Sequence, residues 1–303
     1  MTEGGKKAIL AAFFANLGIS IIKFLAFLAT GAASLLAECL HSLADTGNQA
    51  LLLLGAKRSK KDPTPEHPFG YGPERYFWSF VVALVLFTLG GLFALYEGIE
   101  KLRHPHELSS PIWGFIVLTI AILLESYSLR TAIIETNHVR GNQSFWHFIR
   151  HAKQPELPVV LLEDIGAMTG LVFALMGLTA ATVTDNARYD AIGSISIGIL
   201  LIIIAYILAR EMKSLLIGES VDPDVAEKIR SAVLEGDEVA SIIHMRTLHH
   251  GPDNILLGVK VEFSSHSDEG ITQSINAVET RVRAAVPTVQ TIYIEPDIRR
   301  QSE

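Results

Sequence analysis

The sequence contains a single cysteine, Cys39, so an internal disulfide framework and a thiolate metal cluster are both excluded. No His-Glu-x-x-His segment occurs, which removes the zinc-peptidase arrangement. Lys and Arg are never clustered among aromatics, and the formal net charge is -7, so DNA and RNA are not expected partners. The opening Met1-Thr2-Glu3-Gly4-Gly5-Lys6-Lys7 lacks a signal-peptide cleavage site and the arginines of a transit peptide, so the first apolar block is expected to be retained. No internal repeat or low-complexity tract is evident.

What the chain has instead is unbroken apolar sequence. Of its 303 residues, 49% are hydrophobic, and the mean hydropathy of +0.34 reflects blocks too long for the amphipathic helices of a soluble fold. Blocks of about 20 residues begin near Ala8, Ala33, Tyr76, Pro111, Pro158 and Tyr189 and end near Thr30, Gly55, Glu100, Ile134, Thr182 and Leu208, which predicts roughly six membrane-spanning helices. Basic residues such as Lys6, Lys7, Lys57, Arg58, Arg140 and Arg150 flank one side, whereas the other has only Lys101, Arg103 and Arg188. That asymmetry places both termini in the cytoplasm.

After Arg210 the composition changes. A charged helical stretch opens at Asp222-Pro223-Asp224, strands are predicted at Ile242 to Thr247 and Ile255 to Phe263, a helix at His266 to Val286 and a last strand at Val289 to Ile294. The expected fold is therefore a membrane all-α six-helix bundle over residues 1–212, followed over 213–303 by a small cytoplasmic α+β module of ferredoxin-like order, α-β-β-α-β, with its helices on one sheet face. A further cytoplasmic connection, Asn137 to Pro158, carries Phe145-Trp146-His147-Phe148 and reads as an interfacial helix with aromatic anchors.

The chemistry concentrates in the second span. Glu38, His41, Asp45 and Asn48 follow helical spacing and form one polar stripe within apolar sequence. Ionisable groups in lipid are costly and functional by default. An imidazole and a carboxylate one turn apart reach the same divalent ion, and their mixed N/O character suits zinc and its neighbours. The bland alternative is that His41 and Asp45 act as helix glue with Asn16 and Lys23. The fifth span adds Glu163-Asp164; adjacent residues point about 100° apart on a helix, so Asp164 is favoured as a ligand over Glu163. Lys23, Glu97, Glu125 and Arg130 read as snorkelling side chains. Gly166 and Gly170 have the spacing of a close helix approach, expected to be toward the second span.

His41-Ser42-Leu43-Ala44-Asp45, followed by His67-Pro68-Phe69-Gly70-Tyr71-Gly72, an acidic fifth span and the α-β-β-α-β tail, resembles the cation diffusion facilitator family over almost the whole chain. The resemblance implies a homodimer of six-span subunits that exports a divalent transition metal, usually zinc, in exchange for protons, with no organic cofactor. It places the transport site at His41, Asp45 and Asp164 and puts the family's fourth ligand at Val160, which cannot coordinate. Glu163, Asn48 or water would fill the open position, and manganese, iron or cobalt become alternatives to zinc. With the Trp146-His147-Phe148-Ile149-Arg150 segment, this departure resembles the subgroup of animal mitochondrial zinc exporters and their bacterial relatives, so a bacterial inner membrane is the expected location. The tail's usual ligand positions appear as Ile243, Lys260 and Tyr293, so no binuclear tail site is expected, and His249-His250 reads as a solvated loop. Two rivals are a membrane metalloenzyme, for which a buried site leaves little substrate room, and a non-transporting partner or metal-sensing scaffold with the same fold.

Overall fold

The computed structural model describes residues 3–30, 33–104, 111–265 and 267–298, with backbone but not side chains for 29–30, 33–38, 40 and 41. It divides into two compact units, one of residues 1–58 and 75–213 and one of residues 59–74 and 214–303.

The first unit is helical: α1 (Glu3–Thr30), α2 (Ala33–Arg58), α3 (Glu74–Val85), a π-helical stretch (Leu86–Leu92), α4 (Phe93–Arg103), α5 (Pro111–Arg140), the short α6 (Phe145–His151), α7 (Glu156–Thr184) and α8 (Arg188–Ile217), whose last turn passes into the second unit. The burial pattern is that of a protein in lipid. On α1, the small residues Ala8, Ala12 and Ala15 are buried, while Phe14, Ile21, Leu25 and Leu28 are more than half exposed. Small side chains let backbones approach one another, and the large apolar ones face outward into hydrocarbon. Accordingly α1 packs on α2, α5 and α7, and α5 packs on α7.

Among the described residues, five helical segments are long and apolar enough to cross a membrane: Glu3–Leu28, Glu74–Arg103, Pro111–Arg140, Glu156–Thr184 and Arg188–Ile217. The protein is an integral membrane protein. The second helix, α2, is 26 residues long but is not among the five; its stripe of Ser42, Asp45, Thr46, Asn48 and Gln49 makes it the least apolar of the long helices in sequence. Helices also outrun the apolar blocks, since α5 continues past Ile134 to Arg140 and α8 past Leu208 to Ile217.

Four details of packing position the site. The N-terminal end of α7, from Glu156 through Asp164, is wholly buried, so this segment is the axis of the core. Arg75 at the start of α3 and Glu156 at the start of α7 form a buried bidentate pair, Nε to Oε1 at 2.5 Å and Nη2 to Oε2 at 2.8 Å. The glycine pair of α7 faces α8 rather than α2: a Cβ on Gly166 would stand 2.7 Å from Ile204 Cδ1, and one on Gly170 would stand 3.6 Å from Ile197. Gly198 on α8 in turn sits against the backbone of Leu95, 2.6 Å from its nitrogen to a hypothetical Cβ, which brings α4 onto the same helix. The segment expected as an interfacial helix is helical as α6, capped by the Ser144 hydroxyl accepting from the His147 amide; Phe148 and Ile149 are buried and Trp146 is exposed.

The second unit contains α9 (Pro223–Leu234), β1 (Val239–Gly251), β2 (Asn254–Phe263), α10 (Asp268–Ala285) and β3 (Val289–Pro296), in the predicted order. The sheet order is β1-β2-β3, with β1 antiparallel and β3 parallel to β2. Alternate residues of β2 from Ile255 to Phe263 are buried with Ile229 and Val233 of α9 and Val278 and Val282 of α10, so both helices cover one face. Strand β1 is longer than its alternation predicted because register shifts at three places interrupt the two-residue period. His249 and His250 are not a solvated loop. They close β1, His249 pairing with Ile255 and being 8% exposed, and the His250 ring lies 5.8 Å from that of Phe69. His266 lies outside the described residues.

The His67–Gly72 motif belongs to this unit. Gly70 has φ +87°, a left-handed backbone that other residues rarely adopt, and a Cβ on Gly72 would stand 3.1 Å from Gly251 Cα. The two glycines therefore seat the loop directly on the β1–β2 turn. Lys260 bridges Glu295 at 3.0 Å and Asp297 at 2.9 Å, and hydrogen bonds to these carboxylates hold its ammonium above the usual lysine range.

Candidate metal-binding cavity

A cavity of about 250 Å³ lies among α1, α2, the α3–α4 rod, α5, α7 and α8. Its polar lining includes Asp45 and Gln49 of α2, Glu125 of α5, Glu163 and Asp164 of α7, and Lys23 of α1. It extends to Glu97 and Lys101 of α4 and Asp190 of α8, where the Lys101 ammonium lies 3.1 Å from Glu97 and 3.5 Å from Asp190. Leu86 and Phe93 border it from either end of the π-helical stretch, a distortion frequent at functional sites.

The acids are held differently. Asp164 is 1% exposed and its Oδ2 accepts from the Ser128 hydroxyl at 2.8 Å. Glu163 accepts from two neighbouring amides of α2, Asn48 Nδ2 at 3.0 Å and Gln49 Nε2 at 3.1 Å. Both adjacent acids nevertheless border the same cavity. Asp45 is half-buried and lines it from α2. Lys23 Nζ donates to Ser42 Oγ at 3.1 Å, one turn before Asp45.

The structure thus gathers Asp45, Glu163 and Asp164 around one space. Asn48 is tied to Glu163, and it is Gln49 rather than Asn48 that borders the cavity. The side chains of Glu38 and His41 lie outside the described residues. Among the described residues, no three of His, Cys, Asp and Glu stand together as a ready metal-ligand group. Val160, one turn before Asp164, is fully buried in the apolar core.

Glu125 does not snorkel. It is 2% exposed, midway along α5, and faces the charges of Asp164, Asp45 and Lys23. Its central position in the fourth apolar block was readable, but not the direction in which it points. Arg130 is exposed, as a snorkelling side chain would be.

The model of the cation efflux transmembrane domain matches residues 9–217. The chain belongs to the cation efflux family. That family is defined by a transport domain and not by a catalytic one. The proton-coupled zinc antiporter SLC30A9, mitochondrial, of Xenopus laevis is 34% identical over 265 residues, which cover 86% of this chain and 47% of that protein. This chain therefore spans about half the length of that relative. The zinc transporter ZitB of Escherichia coli is 27% identical over 80% of this chain and 73% of its own length. The magnetosome protein MamB of a Magnetospira species is 23% identical over 93% of this chain and 92% of its own length.

Proposed function

We propose that this cation efflux protein exports a divalent transition metal, zinc before manganese, iron or cobalt, in exchange for protons. The observation that carries the reading is the cavity among the helices of a membrane bundle that is bordered by Asp45 and by the buried Glu163 and Asp164. Ionisable groups are retained there at a cost, and ion transport accounts for them. His41, one turn before Asp45 on α2, is assigned as the nitrogen ligand, with Asp45 and Asp164 as oxygen ligands. Such a mixed set suits zinc, and the names of two relatives, a zinc antiporter and a zinc transporter, support that choice.

Metal requires a neutral imidazole and ionised carboxylates, and protonation removes their lone pairs. Metal and protons therefore compete for one site. Alternating exposure of that site to the two sides of the membrane converts the competition into exchange. The cavity extends toward Lys101 and Asp190, at the end opposite Lys57, Arg58 and Arg140. With basic residues inside, both termini are cytoplasmic and the cavity reaches toward the outer face.

We assign six spans, counting α2, and a homodimer on the family resemblance, with the bilayer of a bacterial inner membrane as host. Residues 213–303 are assigned as the cytoplasmic part. Proteoliposomes loaded at one pH and diluted into another test the coupling. Zinc flux that follows the imposed gradient in sign and size is expected, and flux indifferent to it overturns the exchange.

A further inference from the structure

We propose that Glu125 is a further cation-binding residue of this cavity, a carboxylate that α5 contributes to the metal held by α2 and α7. The inference rests on the transport reading above and deepens it. Glu125 is 2% exposed and borders the cavity with Asp45, Glu163 and Asp164. Its carboxylate faces the charges of Asp164 and Asp45, and Glu163 faces it in turn. One turn along α5, Ser128 donates to Asp164 at 2.8 Å, so the helix face carrying Glu125 is registered against the acidic turn of α7.

A second observation points to a ligand independently of the acids. Gln49 is 1% exposed and lines the same cavity. Its Nε2 is committed to Glu163, and its Oε1 has no hydrogen-bond partner among the described residues. A buried carbonyl oxygen is seldom left unpaired, and a cation or a water on that cation would satisfy it. Charge leads to the same place: carboxylates from three helices line the cavity together with Lys23, and a divalent ion offsets negative charge gathered there. The ligand set also needs a donor from elsewhere, because Val160 gives α7 no donor one turn before Asp164.

Wild type, E125Q, E125D and D164N are purified in detergent, and zinc chloride binding is measured by calorimetry beside metal-free thermal unfolding. The expected result is that E125Q unfolds at the wild-type temperature without metal, binds zinc about tenfold or more weakly, and is partly rescued in E125D. Wild-type affinity in E125Q with lost affinity in D164N overturns the role of Glu125 and leaves the transport site standing. Wild-type affinity in D164N as well overturns the site itself, and this inference with it. Should E125Q fail to fold, the structure of the wild-type zinc complex decides: a Glu125 oxygen in the zinc coordination sphere supports the inference, and its absence from that sphere refutes it.

Discussion

Removing either member of the Arg75–Glu156 pair should destabilise the helical unit more than removing both. Each side chain is 3% exposed, and the two contacts of 2.5 and 2.8 Å match the guanidinium fork to both carboxylate oxygens. R75M strands a carboxylate, and E156Q strands a guanidinium, in a part of α7 where every residue from Glu156 to Asp164 is buried. Breaking a buried pair in this way costs about 3 to 5 kcal/mol, whereas an apolar replacement of both partners is close to neutral. The double variant R75M/E156L should therefore recover most of either loss, giving a coupling of about 2 kcal/mol or more. Unfolding of the purified protein by sodium dodecyl sulfate, followed by loss of helix, supplies the free energies. Single variants that each cost under about 1 kcal/mol, or a double variant that loses the sum, would refute the reasoning.

Three further outcomes follow from the packing. G72A should release the His67–Gly72 loop from the β1–β2 turn, because the added methyl meets backbone of Gly251; hydrogen exchange should rise in both segments, while G258A, with its nearest neighbour 4.0 Å away, leaves exchange unchanged. Among the helix contacts, G198A should destabilise by about 1 to 3 kcal/mol and G166A by less, since the first methyl meets the Leu95 backbone and the second only the mobile end of Ile204; equal losses in detergent unfolding would contradict this. In the tail, the hydrogen bond and charge of Arg281 hold the Glu238 carboxyl below the usual carboxylate value of 4.5. A lowered folded value means that its contribution is present above pH 4.5 and is lost as pH falls below it. The pair is partly exposed, so the contribution is under about 1 kcal/mol. E238Q should raise amide exchange in β1 at pH 7, and the difference should shrink as pH falls below 4.5.

Much of this architecture can be read in the residues because lipid imposes its own length rule. The long apolar blocks, the α-β-β-α-β tail and the polar stripe of α2 all appear in the sequence and recur as helices and strands at those places. Direction is harder to read. In a membrane helix both faces are apolar, so hydrophobic periodicity does not mark the buried side, and neither the inward orientation of Glu125 nor the attachment of Gly166 and Gly170 to α8 has a signal in spacing. The Arg75–Glu156 pair joins residues 81 apart, beyond any local pattern. His249 and His250 looked like a loop because Gly251-Pro252-Asp253 follows them; the strand instead runs on through a late register shift to Gly251. Adjacent acids on α7 can share one cavity because that cavity is wider than a single ion, so the 100° between them does not force a choice.

The claim at the centre of this account is that acids from α2 and α7 hold a metal inside the bundle. An anomalous difference map from zinc-soaked crystals, recorded at the zinc edge, tests it most directly. The account predicts a peak in the cavity about 2.0 to 2.2 Å from carboxylate oxygens of Asp45 and Asp164. A map whose zinc peaks lie only at the tail histidines, with none between those two acids, would contradict it.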